Sequence, residues 1–490
     1  MNIASLPSKY GIGVIGEEAV SFAKLIKEMG FSKWQILPLN PPALMAANSP
    51  YSSNGAFAGN IAYIDPITLF YDGLADPDDV RRCEYYGSPY RVDFEFVNES
   101  KKRLMKKAYA NITEEYREKT AEFLSDKENF NYAYYVTLQD KFGGAEFVEW
   151  DKEYRDYETA LTHKDEHEDG IFYNGFCMYT FFRQWTEFKK TVNDLGVQII
   201  GDMPIYVSLD SADVWAHKEL FCLNKKTFRP QLVAGVPPDY FSEDGQLWGN
   251  PLYDWKAMEE DGFSWWINRI KRNLTLYDTV RIDHFRGIAS YWAVGANEET
   301  AKNGKWKKGP GMKLFDAVNK KIKDPAIIAE DLGEFGKDVE TLLKETGFAG
   351  MRVVQFGFDG KDSSHLPHNY PENCIAYTGT HDNDTLLGWL YSTDDETRRY
   401  VLDYVGFKQP NWGDGGFYSP SCRAITEAVW RSSAKLSVIP VQDMCGFGSD
   451  TRLNVPGSAL GNWEVRFTKE QIDSIDRGYF KRINSIFKRD

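Results

Sequence analysis

Seven short apolar runs, rich in β-branched residues, are spread along this chain with segments of helical pattern between them. They are KWQILPLNP (33–41), VQIIGDMPIYV (197–207), TVRIDHF (279–285), AIIAEDLG (326–333), MRVVQFGF (351–358), CIAYTGTHD (374–382) and LSVIPVQDM (436–444). A run that stays apolar instead of alternating belongs to a strand covered on both faces, and strands that alternate with helices build a parallel sheet. Several runs close on an acid: Asp202, Asp283, Glu330, Asp382 and Asp443. Functional side chains gathered at the C-terminal ends of parallel strands are the habit of the (β/α)8 barrel. A doubly wound open sheet is the alternative. With seven runs in hand, an eighth strand would have to come from the first few residues.

The spacing of the runs is uneven, and this sets the organisation. By length alone 490 residues suggest about three domains, yet there is no repeat, low-complexity tract or flexible linker. The expectation is one catalytic barrel over 1–490 with large insertions between strands. Residues 66–195 read as a largely helical insertion, and 208–278 as an aromatic loop insertion over the active-site cleft, rich in turn formers and poor in helical period.

Charge and composition exclude several classes. There are 58 basic and 72 acidic residues, a net charge of −14, and no basic block longer than a few residues, so nucleic acid is not an expected partner. No apolar stretch approaches the roughly 20 residues that cross a bilayer, so no membrane partner is expected. MNIASLPSKYGIG lacks the charged and apolar regions of a signal peptide, which points to the cytoplasm. The six cysteines stand apart with no C-x-x-C pair, and read as reduced rather than as a disulfide frame or zinc site. Aromatic residues are 15% of the chain, many of them in Gly-, Pro- and Asp-rich segments where sugar-stacking rings would sit.

The acids carry the chemistry. In RIDHF, Arg281 and Asp283 are two apart on a strand and point to one face. A paired guanidinium would keep the carboxylate ionised and oriented, as a nucleophile requires; the same pair also reads as a buried salt bridge. Glu330 ends the next run, where an acid could protonate a leaving oxygen or begin a helix. Asp382, beside His381, closes a later one and equally suits a turn or a cap. Three carboxylates on successive strands would converge at the barrel mouth. Retaining glycosidic chemistry needs two carboxyl groups about 5–5.5 Å apart, and a third can hold sugar hydroxyls. His284 and His381 add donors for such hydroxyls. Among these acids and histidines no H-x-x-x-H or C-x-x-C metal-ligand spacing occurs.

At these residues the chain resembles the amylomaltases, the 4-α-glucanotransferases of glycoside hydrolase family 77 type that include the plant disproportionating enzyme, within the α-amylase clan. The match runs through SLPSKYGIG (5–13), SPYSSNGAFAGN (49–60), GDMPIYV (201–207), VAGVPPDYF with GQLWGNPLYDW (233–255), VRIDHFRG (280–287), IIAEDLG (327–333), THDND (380–384) and MCGFGSDTRLNVPGS with GNW (444–463). The resemblance implies that Asp283 is the nucleophile, Glu330 the general acid/base and Asp382 the transition-state stabiliser. It further implies that Arg281 supports the nucleophile, that His381 and Tyr51 hold the sugar at subsite −1, and that Asp202 has a structural or sugar-contacting role. Tyr240 and Phe241 match a loop that arches over the cleft, and Trp248 and Asn454 are further substrate-binding matches. Maltodextrin, starch or glycogen-type α-1,4-glucans are the implied donors, with glucose or maltodextrin as acceptor and no metal or organic cofactor. An α-amylase-like hydrolase and a non-catalytic glucan-binding protein are the competing functions.

Overall fold

All seven apolar runs form strands, and all seven run parallel to their neighbours. The computed structural model describes every residue except 44–46, 239–241, 334–335, 361, 459–460 and 490. Among the described residues there are eleven strands: β1 (Lys33–Gln35), β2 (Gln198–Met203), β3 (Leu232–Val236), β4 (Gln246–Pro251), β5 (Thr279–Ile282), β6 (Ser290–Gly295), β7 (Lys305–Lys308), β8 (Ile327–Ala329), β9 (Gly350–Val353), β10 (Cys374–Tyr377) and β11 (Leu436–Val438). One parallel arc has the order β1-β2-β5-β8 and a second the order β9-β10-β11. A parallel bridge from Ile328 to Ala349 joins them, with the Ala329 amide donating to the Ala349 carbonyl at 2.9 Å. The result is the wall of a β/α barrel.

Alternation along these strands explains the continuous apolar runs. Ile200, Ile328, Met351, Val353, Ile375 and Tyr377 form a cluster of their own inside the wall. Their neighbours Ile199, Val280, Ile282, Ile327 and Ala376 belong to the larger core shared with the helices. The inner strands therefore bury both faces, while β1 and β11 at the edges bury only their middle residue. Gly201 is needed for closeness: a Cβ there would lie 2.1 Å from the Tyr277 ring, which packs across β2 one residue before Asp202.

The expected eighth strand does not form from the first few residues. Ile3–Ser5 is a single 3-10 turn, because the carbonyls of Ile3, Ala4 and Ser5 are taken by the amides of Leu6, Gly13 and Phe467. The C-terminal segment clasps this region further. Arg466 Nη2 donates to the Ser8 carbonyl at 2.6 Å, and Asn484 Nδ2 to the Met29 carbonyl at 2.9 Å.

Residues 66–195 carry several helices, the longest being Phe94–Ala110, Lys127–Lys141 and Glu168–Asp194. The first two begin at Asp caps: Asp93 accepts from the Phe96 amide, and Asp126 from the amides of Glu128 and Asn129. The segment 208–278, expected as loop, departs from expectation. It contains β3 and β4, which join β6 and β7 in an antiparallel sheet of order β4-β3-β6-β7, and the helix Ser264–Leu276. β4 lies mostly exposed and holds Gly249 and Pro251, so it gives no apolar alternation to read. Among the described residues no helix is long and apolar enough to cross a membrane.

Candidate active site

The carboxylates come together at the C-terminal ends of the parallel strands, organised around one arginine. Arg281, on β5, is 3% exposed and directs Nη1 to both oxygens of Asp202 at 2.7 Å and to Asp283 Oδ1 at 3.0 Å. Two residues apart on a strand, Arg281 and Asp283 do share a face. The Asp283 amide donates to the Met203 carbonyl at 3.0 Å, fixing the first residue beyond β5 against the end of β2. The two carboxylates differ in access: the Asp202 side chain is 0% exposed and that of Asp283 26%. Asp202, placed by sequence among the substrate-binding residues, therefore does not reach the cleft. Its oxygens are occupied by Arg281 and by the Tyr51 hydroxyl at 2.8 Å, so it acts on those two groups.

Glu330 is held by backbone. Its Oε2 accepts from the His284 amide at 2.7 Å and its Oε1 from the Leu332 amide at 2.8 Å. His284 must adopt φ +50° to aim that amide, a left-handed conformation that costs a non-glycine residue roughly 1 kcal/mol. The residue beside the Asp283 carboxylate thus anchors Glu330. Trp248 covers the same histidine edge-on, ring centroids 4.8 Å apart, and is itself part exposed.

The third acid stands in a polar frame. Asp382 Oδ2 is 3.2 Å from His381 Nε2, and Oδ1 accepts from Asn454 Nδ2 at 2.5 Å. Arg452 Nη2 donates to the Asp382 carbonyl at 2.6 Å. Tyr51 stacks on His381 with ring centroids 4.9 Å apart and planes 18° apart. Trp463, to which sequence reasoning gave no role, adjoins both rings at 5.6 and 5.8 Å. It lay in the GNW motif, but its approach to Tyr51 depends on a φ of +67° that no sequence pattern reveals. Asp443, singled out as a strand-end acid, is buried away from the three. It accepts from the Thr378 hydroxyl and the Leu386 amide, both at 2.7 Å, and so pins the two ends of the segment carrying His381 and Asp382.

Electrostatics set the three acids apart. Burial pushes Asp283 up to about 6 against the pull of Arg281. Burial pushes Glu330 farther, to about 7, where Arg281 opposes and the Asp283 charge assists. Of this pair Glu330 keeps the proton and Asp283 the charge. Asp382 goes the other way: burial works against its ionisation, but His381, the Asn454 amide and Arg281 outweigh it and hold the group at about 2. Burial, with Arg286 nearby, lowers His284 to about 3, leaving a neutral imidazole. His381 is raised, since Asp382 more than offsets its burial.

The structure thus brings together Tyr51, Asp202, Arg281, Asp283, His381, Asp382 and Asn454 through direct contacts, with Glu330, His284 and Trp248 linked through the 283–284 backbone. Tyr240 and Phe241 lie outside the described residues. An ionised acid beside a protonated one can attack a carbon while its neighbour protonates a leaving group.

Known proteins similar to this chain carry one common description. The family model described as 4-alpha-glucanotransferase matches residues 1–471. The 4-alpha-glucanotransferase of Clostridium butyricum is 41% identical over 491 residues, covering 97% of this chain and 98% of that protein. That of Aquifex aeolicus strain VF5 is 38% identical, covering 100% and 98%. Among solved structures, the amylomaltase from Streptococcus agalactiae in complex with acarbose superposes with a TM-score of 0.94 at 37% identity, covering 100% of this chain and 98% of that one.

Proposed function

On the premise that this chain belongs to the 4-alpha-glucanotransferase family, and is a (β/α)8-barrel transglycosylase acting on α-1,4-glucans, we propose a residue-by-residue assignment of its reaction. Asp283 is the nucleophile, Glu330 the general acid/base and Asp382 the stabiliser of the sugar in the transition state. The observation that carries this reading is the split between the acids: an accessible Asp283 against Arg281, with Glu330 pushed up to about 7 beside it.

A donor glucan lies across the cleft with its −1 glucose among Tyr51, His381 and Asp382. Asp283 attacks the anomeric carbon as the bond to the leaving 4-oxygen breaks, and Glu330 gives that oxygen its proton. The product is a glycosyl ester on Asp283. Once esterified, Asp283 no longer carries the charge that raised Glu330, so the Glu330 pKa falls and the group turns base. It takes the proton of an acceptor 4-hydroxyl, whose oxygen attacks the anomeric carbon and frees Asp283. Two displacements retain the α configuration. Arg281 and Asp202 hold the nucleophile, while Asn454 and Arg452 hold Asp382. His284 and Trp248 line the cleft at the Glu330 side. Tyr240 and Phe241 are assigned to the acceptor side on the resemblance of VAGVPPDYF alone.

Donors are maltodextrin, starch or glycogen-type glucans, and acceptors glucose or maltodextrin. The compartment is the cytoplasm; the six cysteines, none of them paired, support this. Maltotriose alone should yield glucose and a ladder of longer maltodextrins while the reducing-end titre stays constant, since transfer conserves the number of glycosidic bonds. Steadily rising titre would mark a hydrolase, and binding without turnover a glucan-binding protein.

The pH profile tests the split directly. Turnover needs Asp283 ionised and Glu330 protonated, so kcat/KM should fall below about 6 as Asp283 takes up a proton. It should fall again above about 7 as Glu330 loses its own. A profile flat from 5 to about 9 would refute the assignment.

A further inference from the structure

One aromatic stretch takes no part in the cleft: QPNWGDGGFYSP (409–420), between the helices Asp395–Tyr404 and Pro420–Trp430. Its rings stand at the surface. Phe417 is 40% exposed and Tyr418 64%, and Tyr391, on the helix Leu386–Ser392, is 60% exposed beside them. The exposed large apolar side chains between 386 and 430 are these three, and all are aromatic. A cluster of apolar rings left facing water marks a contact surface more often than chance.

These rings are held still, although they are exposed. The Tyr391 hydroxyl donates to the Gly413 carbonyl at 2.9 Å, and its ring lies 5.0 Å from that of Trp412. The Arg398 guanidinium sits 4.7 Å over Trp412, fixed in turn by donating to the carbonyls of Leu390 and Thr393 at 3.0 and 3.1 Å. Phe417 and Tyr418 have ring centroids 4.3 Å apart. Arg423 lies 4.8 Å over Tyr418 and donates to the Phe417 carbonyl at 2.9 Å. With Arg423 on one face, the exposure of Tyr418 belongs to the other. Rings fixed in this way lose little freedom when a ligand stacks on them.

A glucose unit in an α-glucan presents a face of C–H groups bounded by hydroxyls. The C–H face stacks on an aromatic ring, and the hydroxyls seek polar groups at its rim. Asp414, exposed and placed between Trp412 and Phe417 in the chain, offers such a carboxylate, with Asn411 Nδ2 at 3.2 Å from its Oδ2. The patch also rests on the elements that build the active site. The Gly416 amide donates to the Gly446 carbonyl at 2.9 Å, in the segment that leads to Asn454, and the helix bearing Tyr391 follows Asp382.

We propose that Tyr391, Trp412, Phe417 and Tyr418 form a second binding site, outside the cleft, for a chain of α-1,4-linked glucose. The inference rests on the family's glucan substrate and not on the roles of the three acids. A polymer held there meets the cleft at a raised local concentration, while an oligomer too short to reach both gains nothing.

Binding is best read without turnover, in the full chain carrying Asp283→Asn. Glycogen cast into a native gel should retard it. Adding Tyr391→Ala, Phe417→Ala and Tyr418→Ala should raise the glycogen concentration for half-retardation by about tenfold, as stacking is lost on three rings. In the enzyme that keeps Asp283, the same three substitutions should leave kcat/KM for maltotriose within about twofold. Maltoheptaose should also slow amide exchange over 411–418 in the Asp283→Asn chain by about threefold. Where the triple variant does not fold, that exchange decides: protection supports the site, and unchanged exchange overturns it. Unchanged retardation of a folded triple variant overturns it too. So does a tenfold fall in kcat/KM for maltotriose, which would make the rings part of the cleft. A wrong nucleophile would show separately, as residual transfer by the Asp283→Asn chain.

Discussion

Asp283→Asn should lower transfer from maltotriose by about 10⁵-fold, the scale on which loss of a catalytic nucleophile is felt. Asn has the same shape, so the packing around β5 has no reason to change. Arg281 keeps both Asp202 oxygens, and its tie to Asp202 is the wholly buried one. Melting temperature should therefore stay within a few degrees. Glu330 should respond as well: with the neighbouring charge gone, its pKa drops below about 7, visible as a shift in its carboxyl resonance during titration. Residual transfer within tenfold of the parent would mean that another group attacks the sugar. A collapse in stability would mean that Asp283 belongs to the frame instead.

Glu330→Gln should show a different signature, and the difference is what makes it informative. With maltotriose the loss should be about 10³-fold, because the leaving 4-oxygen must depart without a proton. With a donor whose leaving group needs no proton, the first displacement should recover most of that loss. The second should not, since an amide cannot take the acceptor's proton. The glycosyl ester should then build up on Asp283, where peptide mass spectrometry would find it. An ester on Asp382, or on no residue at all, would reverse the assignment. The backbone amides of His284 and Leu332 both donate to the Glu330 carboxylate, and the carboxamide oxygen that replaces it can still accept from one of them, so the substitution leaves one anchor in place.

Strand positions were legible because burial on both faces writes itself as unbroken apolar runs, and Ile200, Val280, Ile328 and Ile375 are simple to find by that mark. The strand-end acids were legible for the same reason. The antiparallel sheet was not, because β4 is exposed and β7 reads Lys-Trp-Lys-Lys, with no buried residue to set a period. Within the site, sequence spacing put Arg281 and Asp283 on one face, but it could not tell that Asp202 is sealed from solvent while Asp283 is open. That difference arises because Asp202 lies within β2 with its oxygens covered by Arg281 and Tyr51, whereas Asp283 stands just beyond the end of β5. The left-handed backbone at His284 and Trp463 was equally silent, since neither residue type signals that conformation as a glycine in a tight turn would. Trp463 in consequence had no role to be read.

The clasp between the two ends of the chain has a consequence for how the enzyme comes into being. Trp463 reaches Tyr51 and His381, Phe467 bonds to Ser5, and Asn484 to Met29. Contacts between residues so far apart along the chain form late and slowly, since the long intervening loop must first be ordered. During translation the barrel's first strands emerge and wait with their apolar faces uncovered while several hundred further residues are made. A nascent chain lacking its last tenth has no Asn454 on Asp382 and no tryptophan beside the Tyr51 and His381 rings. Transfer activity should appear only on release from the ribosome, as a single event and not in stages.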